Sequence, residues 1–161
     1  MENINNIEYD KLFNSFSAVL LSFYDKNNEP CCLASRSVFI LGNMLVLGLP
    51  KTSHAAESIR FSNSFCVNIP DKSLLKDFEK ANPNDNFNLD RFFSQNFLYT
   101  KSGTINAPLM DICKISIECE VVSSHEDQNY IIIISNIKSK NISKDLLHND
   151  GSFMGRILDS L

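Results

Sequence analysis

The chain has 161 residues, 43% of them hydrophobic and 21% charged, with a formal net charge of −4. That length suits one domain around one core, so a single domain over residues 1–161 is expected. The negative balance argues against the basic stripe that nucleic acid or an anionic bilayer requires, although Lys51 with Arg36 or Arg60 can still make a local basic spot.

The opening stretch, residues 1–13, is polar and acidic and lacks the basic region and apolar run of a secretory signal. No apolar run approaches the ~18 residues of a membrane span. The longest candidate, Val38 to Leu49, is broken by Gly42-Asn43. The expectation is a cytoplasmic protein with no membrane and no nucleic-acid partner. Cys31, Cys32, Cys66, Cys113 and Cys119 are odd in number, contain no CxxC, and sit mostly in apolar runs. They read as buried reduced thiols. No pair of Cys or His stands at short zinc-ligand spacing, so no metal site is expected.

In chain order, Ile7 to Phe16 carries a helical apolar stripe, and Ser17 to Tyr24 is rich in strand formers. The polar run Asp25 to Pro30 predicts a hairpin into a strand over Cys31–Ile40. Gly42-Asn43 is a tight turn into Met44–Leu49. A helix from about Ser53 to Phe61 and a strand Phe65–Ile69, closed by Pro70, follow. Ser73 to Ala81 reads as a helix capped by Ser73, Asn82–Asn86 as a loop, and Asn88–Ser94 as a short helix. This middle section is longer than a tight connection and is expected to cover something. Ile112–Val122 alternates Ile115, Ile117, Cys119 and Val121 against Lys114, Ser116, Glu118 and Glu120, the pattern of a half-buried antiparallel strand. Ser123–Asn129 is a polar turn, Tyr130–Ile137 a further strand, and the tail from Asn141 helical or irregular. Hairpin-joined strands with helices in the middle predict a mainly β fold with helices (α+β), a small closed barrel with helical additions.

The corner Pro50-Lys51-Thr52-Ser53-His54 carries the most chemistry. It places a cation, two hydroxyls and a helix N-terminus together just after a strand, a combination suited to a phosphate. On residue type alone, capping is the ordinary work of Thr52 and Ser53, Lys51 is an ordinary solvated lysine, and His54 an exposed first-turn residue. His125 and His148 read as surface residues, Asn68 as a pin for backbone, and Phe92, Phe93, Phe97 and Tyr99 as core or dimer contacts.

A series of segments in order resembles one family. Leu33-Ala34-Ser35-Arg36-Ser37 stands where a small-residue strand is found, followed by the Lys51-Thr52-Ser53 corner. Phe65-Cys66-Val67-Asn68-Ile69-Pro70 matches a Phe-x-Val-Asn-hydrophobic-Pro strand, and Ala107-Pro108, Glu118-Cys119 and Ile131–Ile134 complete the series. In these features, across most of its length, the chain is similar to the flavin reductase-like FMN-binding split barrels, the group that includes flavoredoxins and NAD(P)H:flavin reductases. It departs from them at Cys31, at Ala34, in the short turn Leu41-Gly42-Asn43, at Gln128-Asn129-Tyr130, and at Ser135-Asn136.

The resemblance implies a split antiparallel β-barrel that binds FMN. Lys51, Thr52 and Ser53 would meet the phosphate, and Arg36 the phosphate or the flavin edge. Ala34 and Ser35 would bring backbone to the ring, with Ser37 and His54 further cofactor-binding residues. It also implies an NAD(P)H:flavin oxidoreductase acting on a small-molecule substrate, as a homodimer with no protein acid or base in the hydride step. A flavoredoxin-like electron carrier, or a barrel that has lost its flavin and acts as a binding module, are the alternatives.

Overall fold

In the computed structural model, residues 18–71, 73, 74, 76 and 97–144 are described. The expected helices over Ile7–Phe16 and Asn88–Ser94, most of that over Ser73–Ala81, and the tail beyond residue 144 lie outside them. The elements are β1 (Val19–Tyr24), β2 (Pro30–Ser35), β3 (Val38–Leu41), β4 (Met44–Pro50), α1 (His54–Ser62) and β5 (Ser64–Ile69). They continue with β6 (Tyr99–Lys101), β7 (Pro108–Met110), β8 (Ile115–Glu126) and β9 (Tyr130–Ile142). Among the described residues no helix is long and apolar enough to cross a membrane.

Seven strands form one antiparallel sheet in the order β2-β1-β5-β8-β9-β4-β3, and β6 pairs with β7 apart from it. The two edge strands, β2 and β3, are joined by Arg36 and Ser37 alone. Three Cα steps of about 3.8 Å each keep the ends of those strands within roughly 11 Å. The sheet must therefore curl until its two edges meet, joined covalently but without a ladder between them. That is a split barrel, the fold that the family resemblance implies.

The expected single strand Cys31–Ile40 is corrected by this closure. At the seam Ser35 Oγ accepts the Ser37 N–H at 3.2 Å, and the Gly48 N–H donates to the Ser37 carbonyl at 2.8 Å. A Cβ on Gly48 would lie 3.3 Å from Ser37 Cβ, so glycine permits β4 to pass close to the seam. The β3–β4 turn is as expected: Leu41 pairs with Met44, and Gly42 takes φ +62°, a conformation glycine adopts without steric cost.

The main core lies inside the curl, where Leu21, Phe23, Leu33, Leu45, Leu47, Phe65, Val67, Ile131 and Ile133 meet Ala55, Ala56 and Ile59 of α1. A second cluster of Leu20, Cys32, Ala34 and Met110 covers the opposite face of β1 and β2, with Leu74, Phe97 and Cys113 against it. Four of the five cysteines are buried, and burial pushes the Cys119 thiol up to about 12.

The expected half-exposed strand in the C-terminal half is also corrected. Ser116 and Glu118, expected to face water, are buried, because the β6–β7 hairpin covers that side of the sheet. Asn68 organises the contact. Its Nδ2 donates to the Leu20 carbonyl at 3.1 Å and to Ser22 Oγ at 2.8 Å. Its Oδ1 accepts the Met110 N–H at 3.2 Å and the Ser116 hydroxyl at 2.8 Å. Glu118 accepts from Ser102 Oγ and, at 2.6 Å, from Asn141 Nδ2. The expected turn Ser123–Asn129 shrinks to Asp127–Asn129 because β8 runs to Glu126, and β9 extends the expected strand to Ile142.

Candidate functional site

The corner between β4 and α1 is built by a proline, a cap and a neighbouring turn. Pro50 ends β4, its carbonyl accepts the Ser53 N–H at 3.0 Å, and Ser53 becomes the N-cap of α1. Ser53 Oγ accepts the Ala56 N–H at 3.1 Å. Its own hydroxyl proton remains available to a second acceptor, so capping and anion binding are compatible in one side chain. The corner is tied to the β8–β9 turn by the Lys51 N–H, which donates to the Asn129 carbonyl at 2.8 Å.

A cleft of about 490 Å³ opens here, lined by Lys51, Thr52, Ser53, Glu57, Arg60 and Phe61. It gathers three of the expected site residues and adds Arg60, which sequence reading offered only as part of a basic spot. Arg60 lies on α1 seven residues after Ser53, two helical turns on. A second cleft of about 460 Å³ sits at the other end of the same helix, beside Ser62, Asn63 and Ser64. There α1 presents carbonyls, so of the two clefts only the first has a helix end with the polarity for an anion.

Glu126 dominates the electrostatics of the first cleft. Its carboxylate takes Lys51 Nζ at 2.9 Å and Arg60 Nη1 at 2.6 Å. Lys51, hydrogen-bonded to it, and Arg60 hold the Glu126 carboxyl below the usual range for glutamate. Both cations of the cleft thus already carry an anion, supplied by the chain itself. Nothing in the local sequence signalled this, since Glu126 falls in a stretch read as polar turn. Glu57, on the cleft wall, is paired with Lys26.

The remaining expected site residues lie elsewhere. His54 is exposed and outside the cleft lining, with Nε2 3.4 Å from Ser58 Oγ. Ala34 and Ser35 are buried, the former in the second core cluster, so neither presents its side chain to a ligand within this chain. What β2 offers instead is backbone. It is an edge strand, paired on one side only among the described residues. Arg36 is half-buried and Ser37 exposed, both at the seam.

The comparisons with known proteins agree with this architecture. The family model for the flavin reductase like domain matches residues 27–155. Among solved structures, the 2-nitrobenzoate 2-nitroreductase of Pseudomonas fluorescens superposes with a TM-score of 0.72 at 16% identity, over 92% of this chain and 77% of that one. The flavoredoxin of Desulfovibrio vulgaris (Miyazaki F) gives 0.71 at 17% identity, over 95% and 82%. An NADH:FAD oxidoreductase of Streptomyces globisporus gives 0.63 at 13% identity, over 88% and 82%. No curated protein matches the chain. At these identities the solved structures speak for the fold. With a split seam between β2 and β3, a capped corner after β4, and a family match over four-fifths of its length, this chain belongs to the flavin reductase like domain family.

Proposed function

We propose that this protein binds FMN at the β4–α1 corner and acts as an oxidoreductase that draws electrons from NAD(P)H, as a flavin reductase or a related reductase of a small molecule. The observation that carries this reading is the convergence of Lys51, Thr52, Ser53 and Arg60 with the first turn of α1 on one cleft.

The residues fit the phosphate end of such a cofactor. Lys51 and Arg60 supply charge, and the Thr52 and Ser53 hydroxyls can donate. The first-turn N–H groups ahead of Ala56 lie beyond the reach of any helical carbonyl and carry the positive end of the helix dipole. A phosphate entering the cleft takes over the two cations from Glu126. At the ring end, the buried side chains of Ala34 and Ser35 leave the outer edge of β2 as backbone, which can hydrogen-bond the polar rim of a flat ring. When bound, the flavin supplies the electron-transfer chemistry. The chain holds, orients and shields it, and no side chain is assigned as acid or base.

The same reading includes a homodimer. Phe39 and Leu41 are 61% and 60% exposed, on the outward face of β3. Register places Leu41 beside Met44, and Phe39 beside Val46 and then Ile134, with exposed Ile132 two residues along β9. An apolar strip of this kind suits a second copy across a two-fold axis, and the mass in solution by light scattering tests it.

The decisive measurement is the spectrum of the purified protein, before and after FMN and then under anaerobic NADH or NADPH. Uptake of FMN followed by bleaching is the expected result. FMN uptake with no response to either nicotinamide favours a flavoredoxin-like electron carrier. A colourless protein that refuses excess FMN overturns the assignment and leaves a flavin-free binding module.

A further inference from the structure

We propose that Asp25, Cys31 and His54 form a site for one divalent transition-metal cation of the zinc type, with its fourth coordination position open to solvent. One ligand atom from each of the three lies within 4.8 Å of the others. They come from the β1–β2 turn, the start of β2 and the first residue of α1. Spacing along the chain conceals the set, because His54 is far from the other two in sequence; the expectation of no metal site rested on that spacing. The proposal stands apart from the flavin reading and does not rest on it.

Three features favour a cation here. The first is geometry. Zinc bonds of about 2.3 Å to sulfur and about 2.0–2.1 Å to nitrogen or oxygen set tetrahedral ligand pairs at roughly 3.3–3.6 Å. Closing from 4.8 Å asks at most about 1.5 Å of movement, and His54, exposed at the start of a helix, is the ligand with room to move. The second is charge. Asp25 and Cys31 are 7% and 0% exposed. A carboxylate and a thiolate together neutralise a divalent cation, so the loaded site carries no net charge into the interior. Binding releases the Cys31 thiol proton to solvent, while neutral His54 contributes a lone pair. The contacts that Cys31 and His54 make in the fold give way to the cation.

The third feature is support from behind. Asp25 Oδ1 accepts the Asn27 N–H at 2.8 Å and the Glu29 N–H at 2.9 Å, which fixes the carboxylate and leaves Oδ2 for a metal. His54 Nε2 rests 3.4 Å from the hydroxyl of buried Ser58, which makes Nδ1 the nitrogen to turn toward it. Outer contacts of this kind orient ligands in metal sites. One sulfur, one nitrogen and one carboxylate oxygen select a borderline cation such as zinc or cobalt over magnesium or calcium. Cys31 is too deeply buried to serve as a nucleophile toward a solution substrate, so a held cation is the better use of the cluster.

Cobalt(II) is the probe, added stepwise to the full-length protein after chelation. Tetrahedral ligand-field bands should appear in the red, clear of oxidised flavin, saturate at one cobalt per chain, and disappear when zinc competes. His54→Gln, at an exposed position, should keep the melting profile and weaken cobalt binding by roughly 100-fold or more. Cys31→Ser should remove the thiolate-to-cobalt charge transfer. Absence of the red bands at saturating cobalt, or a His54→Gln titration that overlays the parent, overturns the proposal.

Discussion

Two polar clusters in this molecule use similar atoms for different ends. Around Asn68, a buried amide satisfies both its donors and both acceptor positions with β1, β7 and β8, and water is excluded. Around Glu126, two cations and a carboxylate meet at a half-exposed rim. The first cluster has no partner left to exchange, so it can only hold the fold, docking the β6–β7 hairpin against the sheet. The second is a set of ionic contacts that another anion can take over at small cost, because exposed ion pairs are individually weak. Burial and saturation, rather than residue type, separate a structural polar group from one available to a ligand.

The largest effect that would sharpen this contrast is Asn68→Ala. It strands the Leu20 carbonyl, the Met110 N–H and the Ser116 hydroxyl in the interior, and should cost about 3 kcal/mol, or roughly 6–12 °C in Tm. A thermal melt that moves by less than a degree would mean the node is not the anchor described. Next in size, Lys51→Glu combined with Arg60→Glu should weaken FMN binding roughly 100-fold, with Tm little changed; flavin fluorescence titration reads it. Equal affinity in the double variant would place the phosphate elsewhere.

A smaller change, in the opposite direction, is expected from Glu126→Gln, which frees both cations and should tighten FMN by a few-fold. The pH dependence has a definite sign. Hydrogen bonding to Lys51 depresses the Glu126 carboxyl, so its contribution to stability is present above the unfolded value of about 4.3 and is lost as pH falls through the lower folded value. Glu126 therefore stays ionised through neutral pH, and the affinity ratio between Glu126→Gln and the parent should be flat from about pH 7 to 8, above the second ionisation of a phosphate monoester at about 6. A ratio that changes across that range would show another group titrating in the cleft. The smallest effect is Ser53→Ala, about 1 kcal/mol of stability from the lost cap. If FMN affinity also falls, the hydroxyl proton serves the phosphate; if only Tm falls, Ser53 is a cap alone.

Local chemistry alone settled several features. Gly42 set the β3–β4 turn, Ser53 capped the helix, and Phe65–Ile69 read as a strand closed by Pro70 whose asparagine pins backbone. Each depends on neighbours a few residues away. The seam at Arg36-Ser37, the burial of Ser116 and Glu118, the pairing of Glu126 with Lys51 and Arg60, and the meeting of Asp25, Cys31 and His54 were not legible. The burial of Ser116 and Glu118 arises where the β6–β7 hairpin docks on the sheet, and the other three arise as the sheet curls, which brings together residues whose separation along the chain carries no periodic signal. The strands and the helix cap follow from side-chain pattern and backbone preference; the composition of each site follows from how the barrel closes.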